Sequence, residues 1–176
     1  MTAPVPDPAP LTFGTAGVRA PLGPGPGRMN DETVTLVATA VARYLREHEP
    51  PGSTVIVGGD ARHGSARFVD VVAAVLAAHD LVVVVPGAPV PTPVVAAAVR
   101  ARGAVAGLVV TASHNPASDN GIKVYGRGGA QIVPRPTPGS SGTCTPRRGR
   151  GSPSPRPYPD RCGWTPCSST TTWPPS

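Results

Sequence analysis

The chain has 176 residues, with 16 Lys and Arg against 10 Asp and Glu and a formal net charge of +6. That length suits one domain of ordinary size and leaves little room for a second one. The positive charge is concentrated in residues 134–176, which carry six arginines against Asp160 alone. Residues 1–133 are close to neutral. The net positive charge of the whole chain is therefore no argument that its folded part binds nucleic acid.

Residues 134–176 differ sharply in composition from the rest and contain no Ala, Val, Ile, Leu, Met or Phe. Such a segment cannot bury enough apolar surface to offset the entropy of ordering it, so we expect a low-complexity, disordered tail. Its Pro, Arg, Gly and Ser content is typical of a GC-rich gene read out of frame, and a genuine Arg/Pro-rich extension is the alternative. We therefore expect a folded domain over residues 1–133 and a tail over 134–176.

The three cysteines, Cys144, Cys162 and Cys167, all lie in this tail. Their spacing fits neither a zinc site nor a disulfide framework. The N-terminus lacks the basic and apolar regions of a signal peptide, and no apolar run approaches the ~18 residues of a membrane span. We expect a cytoplasmic protein without membrane association.

The first predicted helix covers residues 31–47 and follows a Pro-rich lead, the half-apolar segment LTFGTAGVRA and the loop GPGPGR. Asn30 is the expected N-cap of this helix, and Pro50 and Pro51 end it. The loop resembles a phosphate-binding loop only superficially, because its prolines remove the backbone donors that a phosphate needs.

Strands and helices then alternate along the chain. Residues 54–57 and 81–85 predict buried strands, and residues 65–78 between them have helical periodicity. Thr92 is the expected cap of a helix that starts at Pro93 and ends near Gly103, and a third strand is expected at 105–110. This alternation predicts a three-layer α/β/α fold with a mixed, mostly parallel sheet.

The chemistry-bearing residues follow the third strand, in TASHNPASDNGIKVY. Ser113 is placed where ligands bind in open α/β sheets, beyond the carboxyl end of a strand. Asn120-Gly121 predicts a tight turn, after which a strand would put Lys123, the only lysine, on the face opposite Ile122. The chain would then double back and bring Lys123 toward Ser113.

Each of these residues also has a simpler interpretation when it is taken alone. Ser113 has no G-x-S-x-G context, so serine hydrolysis is not expected. His114 is not a catalytic partner by adjacency, because neighbouring side chains in extended backbone point apart. Arg19 and Lys123 are both compatible with solvated strand positions.

Five segments of the chain, taken together, resemble a known protein family, although no single residue in them would show it. FGTAGVRAPLGPGPGRMN, GGDARHGSARF, VPTPVVAAAV, TASHNPASDNGIKVY and GGAQI occur in order over residues 11–134. The chain resembles the α-D-phosphohexomutases, the phosphoglucomutase/phosphomannomutase superfamily, and is most similar to the phosphoglucomutase/phosphopentomutase branch through its N-terminal domain.

The resemblance implies roles for five residues. Ser113 matches the serine that is phosphorylated and exchanges its phosphoryl group with the sugar. Lys123 matches a residue for proton transfer and phosphate stabilisation, His114 a supporting residue, and Asn115 a further neighbour of the phosphoserine. Arg19 matches the arginine near the phosphoryl group, and such cations suit a phosphoserine that carries about −1.5 to −2 charge.

The resemblance also implies a sugar phosphate as substrate, a sugar bisphosphate as intermediate and activator, and Mg²⁺ bound through the phosphate on Ser113 and three aspartates. This sequence has no D-x-D motif, and the family's sugar-recognition and distal phosphate loops are missing as well. We expect a phosphosugar mutase by lineage, with this chain alone inactive. The alternatives are an incompetent first domain that at most accepts phosphate, and a nucleic-acid-binding module using the basic tail.

Overall fold

The computed structural model describes residues 11, 13, 14 and 17–133, together with the backbone of residues 164–166. The expected disorder of the tail therefore concerns residues that lie almost entirely outside the described ones. The helices and strands, in chain order, are β1 (Val18–Pro21), α1 (Asp31–His48), β2 (Thr54–Gly59), α2 (Ser65–Ala77), β3 (Val82–Pro86), α3 (Thr92–Ala101), β4 (Ala106–Val110), β5 (Asp119–Gly126) and β6 (Trp164–Pro166), with a short 3₁₀ turn at Arg127–Gly129.

One mixed sheet runs through the described part of the chain in the order β1-β5-β4-β2-β3-β6. The central strands β4, β2 and β3 are parallel to one another. The strands β1 and β5 on one side, and the short β6 on the other, pair antiparallel with their neighbours. The predicted α/β fold with a mixed sheet is confirmed.

Two apolar clusters cover the two faces of this sheet and make three layers. The larger cluster packs α1 and α2 against one face, and the smaller one packs α3 against the other. Neighbouring strand residues alternate between them: Val55 and Val57 of β2 belong to the larger cluster, and Ile56 belongs to the smaller. This alternation is the period of two that a strand buried on both faces requires.

The local signals at the helix ends are confirmed with one exception. The Asn30 side chain accepts the Thr33 N–H at 3.0 Å, which caps α1 as predicted. Gly103, with φ of 61°, follows the last residue of α3 and its cap. The start of α3 was expected one residue later: Pro91 is its N-cap, and the Val94 N–H donates to the Pro91 carbonyl at 3.0 Å.

The predicted turn at Asn120-Gly121 is wrong, because both residues lie inside β5. The chain reverses earlier, between β4 and β5, where the Asp119 N–H donates to the Pro116 carbonyl at 3.0 Å. Asn120 is fully buried, and its Nδ2 donates to the His63 carbonyl at 2.9 Å. Tertiary partners for the amide group therefore override the local turn preference of this dipeptide.

Candidate functional site

Ser113 lies in the loop over residues 111–118, at the carboxyl end of the parallel strands. The residue is half-buried, and its φ of 57° is in the left-handed region that few residues other than glycine adopt. Its N–H donates to Thr111 Oγ1 at 2.9 Å. Because such a backbone costs roughly 1–3 kcal/mol, it persists only where its surroundings hold it, and it is concentrated at functional sites.

Arg19 lies in β1, and its side chain contacts Ser113 in the loop between β4 and β5. Its Nη2 donates to Ser113 Oγ at 3.3 Å, and its Nη1 donates to Asn115 Oδ1 at 3.3 Å. Its Nε is buried and has no hydrogen-bond partner among the described residues. The two terminal nitrogens make only these longer bonds to Ser113 and Asn115, so they are the donors that could serve an anion bound at the serine.

Gly121 provides the space that Arg19 occupies. The two residues are directly opposite in the antiparallel pair of β1 and β5. A Cβ atom on Gly121 would lie 2.3 Å from the Val18 carbonyl oxygen and 2.9 Å from Arg19 Cγ. The absence of a side chain at this position therefore lets β1 approach β5 closely and lets the arginine stem pass over it.

Lys123 shares a face of the sheet with Arg19. It is two residues beyond Gly121 on β5, so it is the diagonal neighbour of Arg19 across the strand pair. Burial is the larger cause, and the nearby Arg19 guanidinium the smaller cause, of a pKa of Lys123 below the ordinary value of 10.5. Lys123 is thus near Arg19, which contacts Ser113, and its approach to Ser113 itself stays a prediction.

The other two predicted residues differ in how they join this group. Asn115 is half-buried, accepts from Arg19, and donates through Nδ2 to Asp119 Oδ2 at 3.0 Å. His114 has an exposed side chain beside the cluster. The structure thus gathers Ser113, Arg19 and Asn115 through side-chain contacts, and leaves His114 at the solvent side.

Arg62 was assigned no role from the sequence, yet it contacts the serine loop most extensively. Its Nη2 donates to the carbonyls of Ser113 and Asn115 at 2.7 and 2.8 Å. Its Nη1 donates to the carbonyls of Pro116 and Asp119 at 2.7 and 3.3 Å. The available signal was its place just after β2, since β2 and β4 are parallel neighbours that end at the same edge of the sheet.

Asp60 holds Arg62 and joins it to the start of α2. One carboxylate oxygen, Oδ1, accepts the Arg62 N–H at 3.1 Å and the Ser65 hydroxyl at 2.7 Å, and the other lies 3.4 Å from Arg62 Nε. Ser65 Oγ in turn accepts from Asn120 Nδ2 at 3.0 Å. This polar network ties the end of β2, the first turn of α2 and the start of β5 together behind the serine loop.

The Mg²⁺ that the resemblance implies does not find its ligands in this part of the chain. Over residues 17–133 and the few others described, no group of three His, Cys, Asp or Glu side chains is arranged to hold a metal ion. The described side chains therefore do not fit the metal by themselves.

In the same part of the chain, every helix is too short or too polar to cross a membrane.

Comparisons with known proteins agree with this geometry. The model of the family "Phosphoglucomutase/phosphomannomutase, alpha/beta/alpha domain I" matches residues 10–138. The phosphoglucomutase of Staphylococcus aureus (strain USA300) is 45% identical over 122 residues, which are 69% of this chain and 22% of that protein. The chain thus spans about a fifth of the length of this curated relative.

Two solved structures share the architecture. A Thermus thermophilus protein that bears the name phosphomannomutase has a TM-score of 0.65 and 36% identity, covering 71% of this chain and 28% of its own. A phosphoglucomutase/phosphomannomutase family protein of Burkholderia thailandensis has a TM-score of 0.58 and 28% identity, covering 69% of this chain and 27% of its own. With most of its length matched, the chain belongs to the phosphoglucomutase/phosphomannomutase family through the α/β/α domain I.

Proposed function

We propose that this chain is the phosphoserine domain of a phosphosugar mutase, which moves phosphate between the 1-position and the 5- or 6-position of a sugar phosphate. The observation that carries the proposal is the Ser113 hydroxyl, held at a strand end and 3.3 Å from the Arg19 guanidinium. A nucleophile with an adjacent cation is what phosphoryl transfer requires, because its catalysis consists mainly of positioning and charge neutralisation.

In the proposed first step, the free hydroxyl of a bound sugar phosphate attacks the phosphorus on phosphorylated Ser113. The new bond from the sugar oxygen to phosphorus forms, the Oγ–P bond breaks, and the hydroxyl proton ends on Ser113 Oγ, so that the sugar becomes a bisphosphate. In the second step, Ser113 Oγ attacks the other phosphorus of this bisphosphate, the bond from that phosphorus to the sugar oxygen breaks, and the serine proton ends on that sugar oxygen. The half-buried setting of Ser113 is compatible with both steps, since the oxygen has to stay accessible.

The neighbouring side chains have separate roles in this proposal. Arg19 neutralises phosphoryl oxygens through its two terminal nitrogens, which make only long bonds to Ser113 and Asn115. Lys123 carries the proton, because its lowered pKa makes the neutral amine more accessible than in an ordinary lysine. Asn115 orients Arg19, and the exposed His114 supports the site from the solvent side.

Other parts of the proposal rest on the family alone. Mg²⁺ supplies additional charge neutralisation when it is bound, and its aspartate ligands are not among the described residues. A small-molecule sugar phosphate is the proposed partner, and a cytoplasmic location without nucleic-acid or membrane partners is proposed with it. The tail from residue 134 is proposed to be a low-complexity segment, of which Trp164–Pro166 pairs with β3.

A second reading is that this chain accepts phosphate without turning over. It is favoured by the sequence, which lacks any D-x-D motif, and by the described residues, which offer no three-ligand metal group. Without those contacts most of the differential binding of the transition state is missing. The two readings share the phosphorylation of Ser113 and differ only in catalytic turnover.

The experiment uses the chain of residues 1–176 with Mg²⁺ and a hexose 1,6-bisphosphate labelled with ³²P. We expect label on Ser113, located by peptide mass spectrometry, and none on Ser113→Ala. Ser118→Ala is the matched control, because Ser118 is an exposed serine of the same loop and should leave labelling unchanged. Conversion of hexose 1-phosphate to 6-phosphate by the same protein would reject the second reading, and absence of label would overturn the proposal.

A further inference from the structure

We infer that Arg62 is a positioning residue, which holds the loop of Ser113 in the conformation that phosphoryl transfer uses. This inference rests on the function proposed above and deepens it. Arg62 contacts none of the reacting atoms in its present geometry: its hydrogen bonds to the loop all go to main-chain carbonyl oxygens.

The contacts of Arg62 span the whole bend between β4 and β5. The four acceptors are the carbonyls of Ser113, Asn115, Pro116 and Asp119. Since the carbonyls of Ser113 and Asn115 converge on the single atom Nη2, the peptide plane that follows the left-handed residue Ser113 is fixed relative to the plane that follows Asn115. This is the kind of surrounding structure that a strained backbone needs in order to persist.

The donors of Arg62 are fully committed to the chain. A guanidinium has N–H groups on three nitrogens, and here Nη1 and Nη2 face four carbonyls while Nε lies 3.4 Å from Asp60 Oδ2. The side chain is only 18% exposed, and Asp60 balances its charge. Arg62 therefore has no free donor for a phosphate, and its effect on the reaction passes through the loop.

Lysine at this position would keep the positive charge and lose the geometry. An ammonium is a compact charge with three donors, whereas the planar guanidinium directs its donors in a fixed fork. The substitution Arg62→Lys thus separates an electrostatic role from a positioning role. Arg67→Lys is the matched control, because Arg67 also pairs through its guanidinium with one carboxylate, that of Asp31, at an exposed position away from the loop.

The test measures single-turnover phosphorylation of Ser113 by a hexose 1,6-bisphosphate and amide hydrogen exchange, both on the chain of residues 1–176. For Arg62→Lys we expect the maximal rate to fall about tenfold or more, because a small misplacement of a reacting group costs up to roughly 100-fold. The half-saturating concentration should stay within about twofold, since Arg62 does not bind the ligand. The Ser113 and Asn115 amides should exchange about tenfold faster, while the amides of β4 and all properties of Arg67→Lys stay unchanged.

A variant that merely folds less well would give a smaller amount of phosphorylated protein, and its amides would lose protection from exchange throughout β4. Its folded fraction would still react at the original rate. The inference is overturned if the maximal rate in Arg62→Lys falls by less than about tenfold, or if the two loop amides keep their protection. If the unaltered chain is not phosphorylated at all, the proposed function fails, and the exchange data then decide by themselves whether Arg62 holds the loop.

Discussion

Arg19 and Arg62 contact the same two residues of the serine loop from different elements, and they use their guanidinium groups in opposite ways. Arg19 donates to the side chains of Ser113 and Asn115, at 3.3 Å in both cases. Arg62 donates to the main-chain carbonyls of the same residues, at 2.7 and 2.8 Å. Arg19 retains a buried Nε without a partner among the described residues, and Arg62 has Asp60 against its Nε.

The difference separates a cation that is available for a ligand from one that is part of the scaffold. A guanidinium with short bonds to fixed carbonyls cannot rearrange without breaking several of them. A guanidinium whose terminal nitrogens make only long bonds to side chains can redirect these donors to an anion that binds nearby. The two arginines therefore give the proposed phosphoserine both a rigid loop and an adaptable counter-charge.

The largest expected effect comes from removing the available cation. Arg19→Met should slow phosphorylation of Ser113 by about 100- to 1,000-fold, the range seen when one fixed donor to a developing charge is lost. Exchange of the Asn115 amide should change little, because Arg62 still holds the loop carbonyls. Single-turnover labelling and hydrogen exchange measure the two outcomes. A fall in rate of less than about tenfold would show that Arg19 does not serve the phosphoryl group.

A smaller effect is expected when a side chain is added at Gly121, next to Arg19 and away from Arg62. Gly121→Ala should lower the free energy of unfolding by about 1–3 kcal/mol, because its Cβ would be forced against the Val18 carbonyl and the Arg19 stem. Urea unfolding measures the change. Gly126→Ala is the matched control in β5, since a Cβ there meets nothing closer than Ile132 Cγ1 at 3.8 Å. Equal losses in the two variants would contradict this account of the strand pair.

Much of the fold could be predicted because its signals are local. The Asn30 cap, the apolar runs of β2, β3 and β4, and Gly103 after α3 each act through their own neighbours in the chain. Asn120-Gly121 was mispredicted because its turn preference is local while its native partners, the His63 carbonyl and Ser65 Oγ, are more than fifty residues away. The residues next to Asn120 in the sequence do not indicate that it has these distant partners.

The candidate site divides in the same way. Ser113 and Arg19 were named because the resemblance includes their motifs. The strand position of Lys123 puts it on the same face as Arg19, although the turn from which its approach was expected is wrong. Arg62 was missed because its role consists of bonds to main-chain carbonyls, which any sequence provides. Its spacing after β2 shows that it reaches the right edge of the sheet, but not that its acceptors are peptide groups.

The smallest expected difference between Arg19 and Arg62 concerns the pKa of Lys123. Because Lys123 is the only lysine in the chain, its side chain gives a single NMR signal whose titration can be followed. Burial and Arg19 lower its pKa in the folded protein, and Arg62 is not among the causes. Arg19→Met should accordingly raise the pKa part of the way toward 10.5, and Arg62→Met should raise it less. An equal rise in the two variants would contradict the division of roles.

The same titration fixes the sign of the pH dependence of stability. Because the folded-state pKa of Lys123 is depressed, the unfolded chain binds this proton more tightly than the folded chain does. The cost of keeping the half-buried ammonium is fully present below the folded pKa and is relieved as the pH rises toward the unfolded value near 10.5. Lys123 should therefore make the free energy of unfolding increase with pH in that window, and less steeply in Arg19→Met, as urea unfolding at successive pH values would measure. A phosphate on Ser113 should raise the pKa of Lys123 and remove the same slope, since an anion beside it favours the charged form.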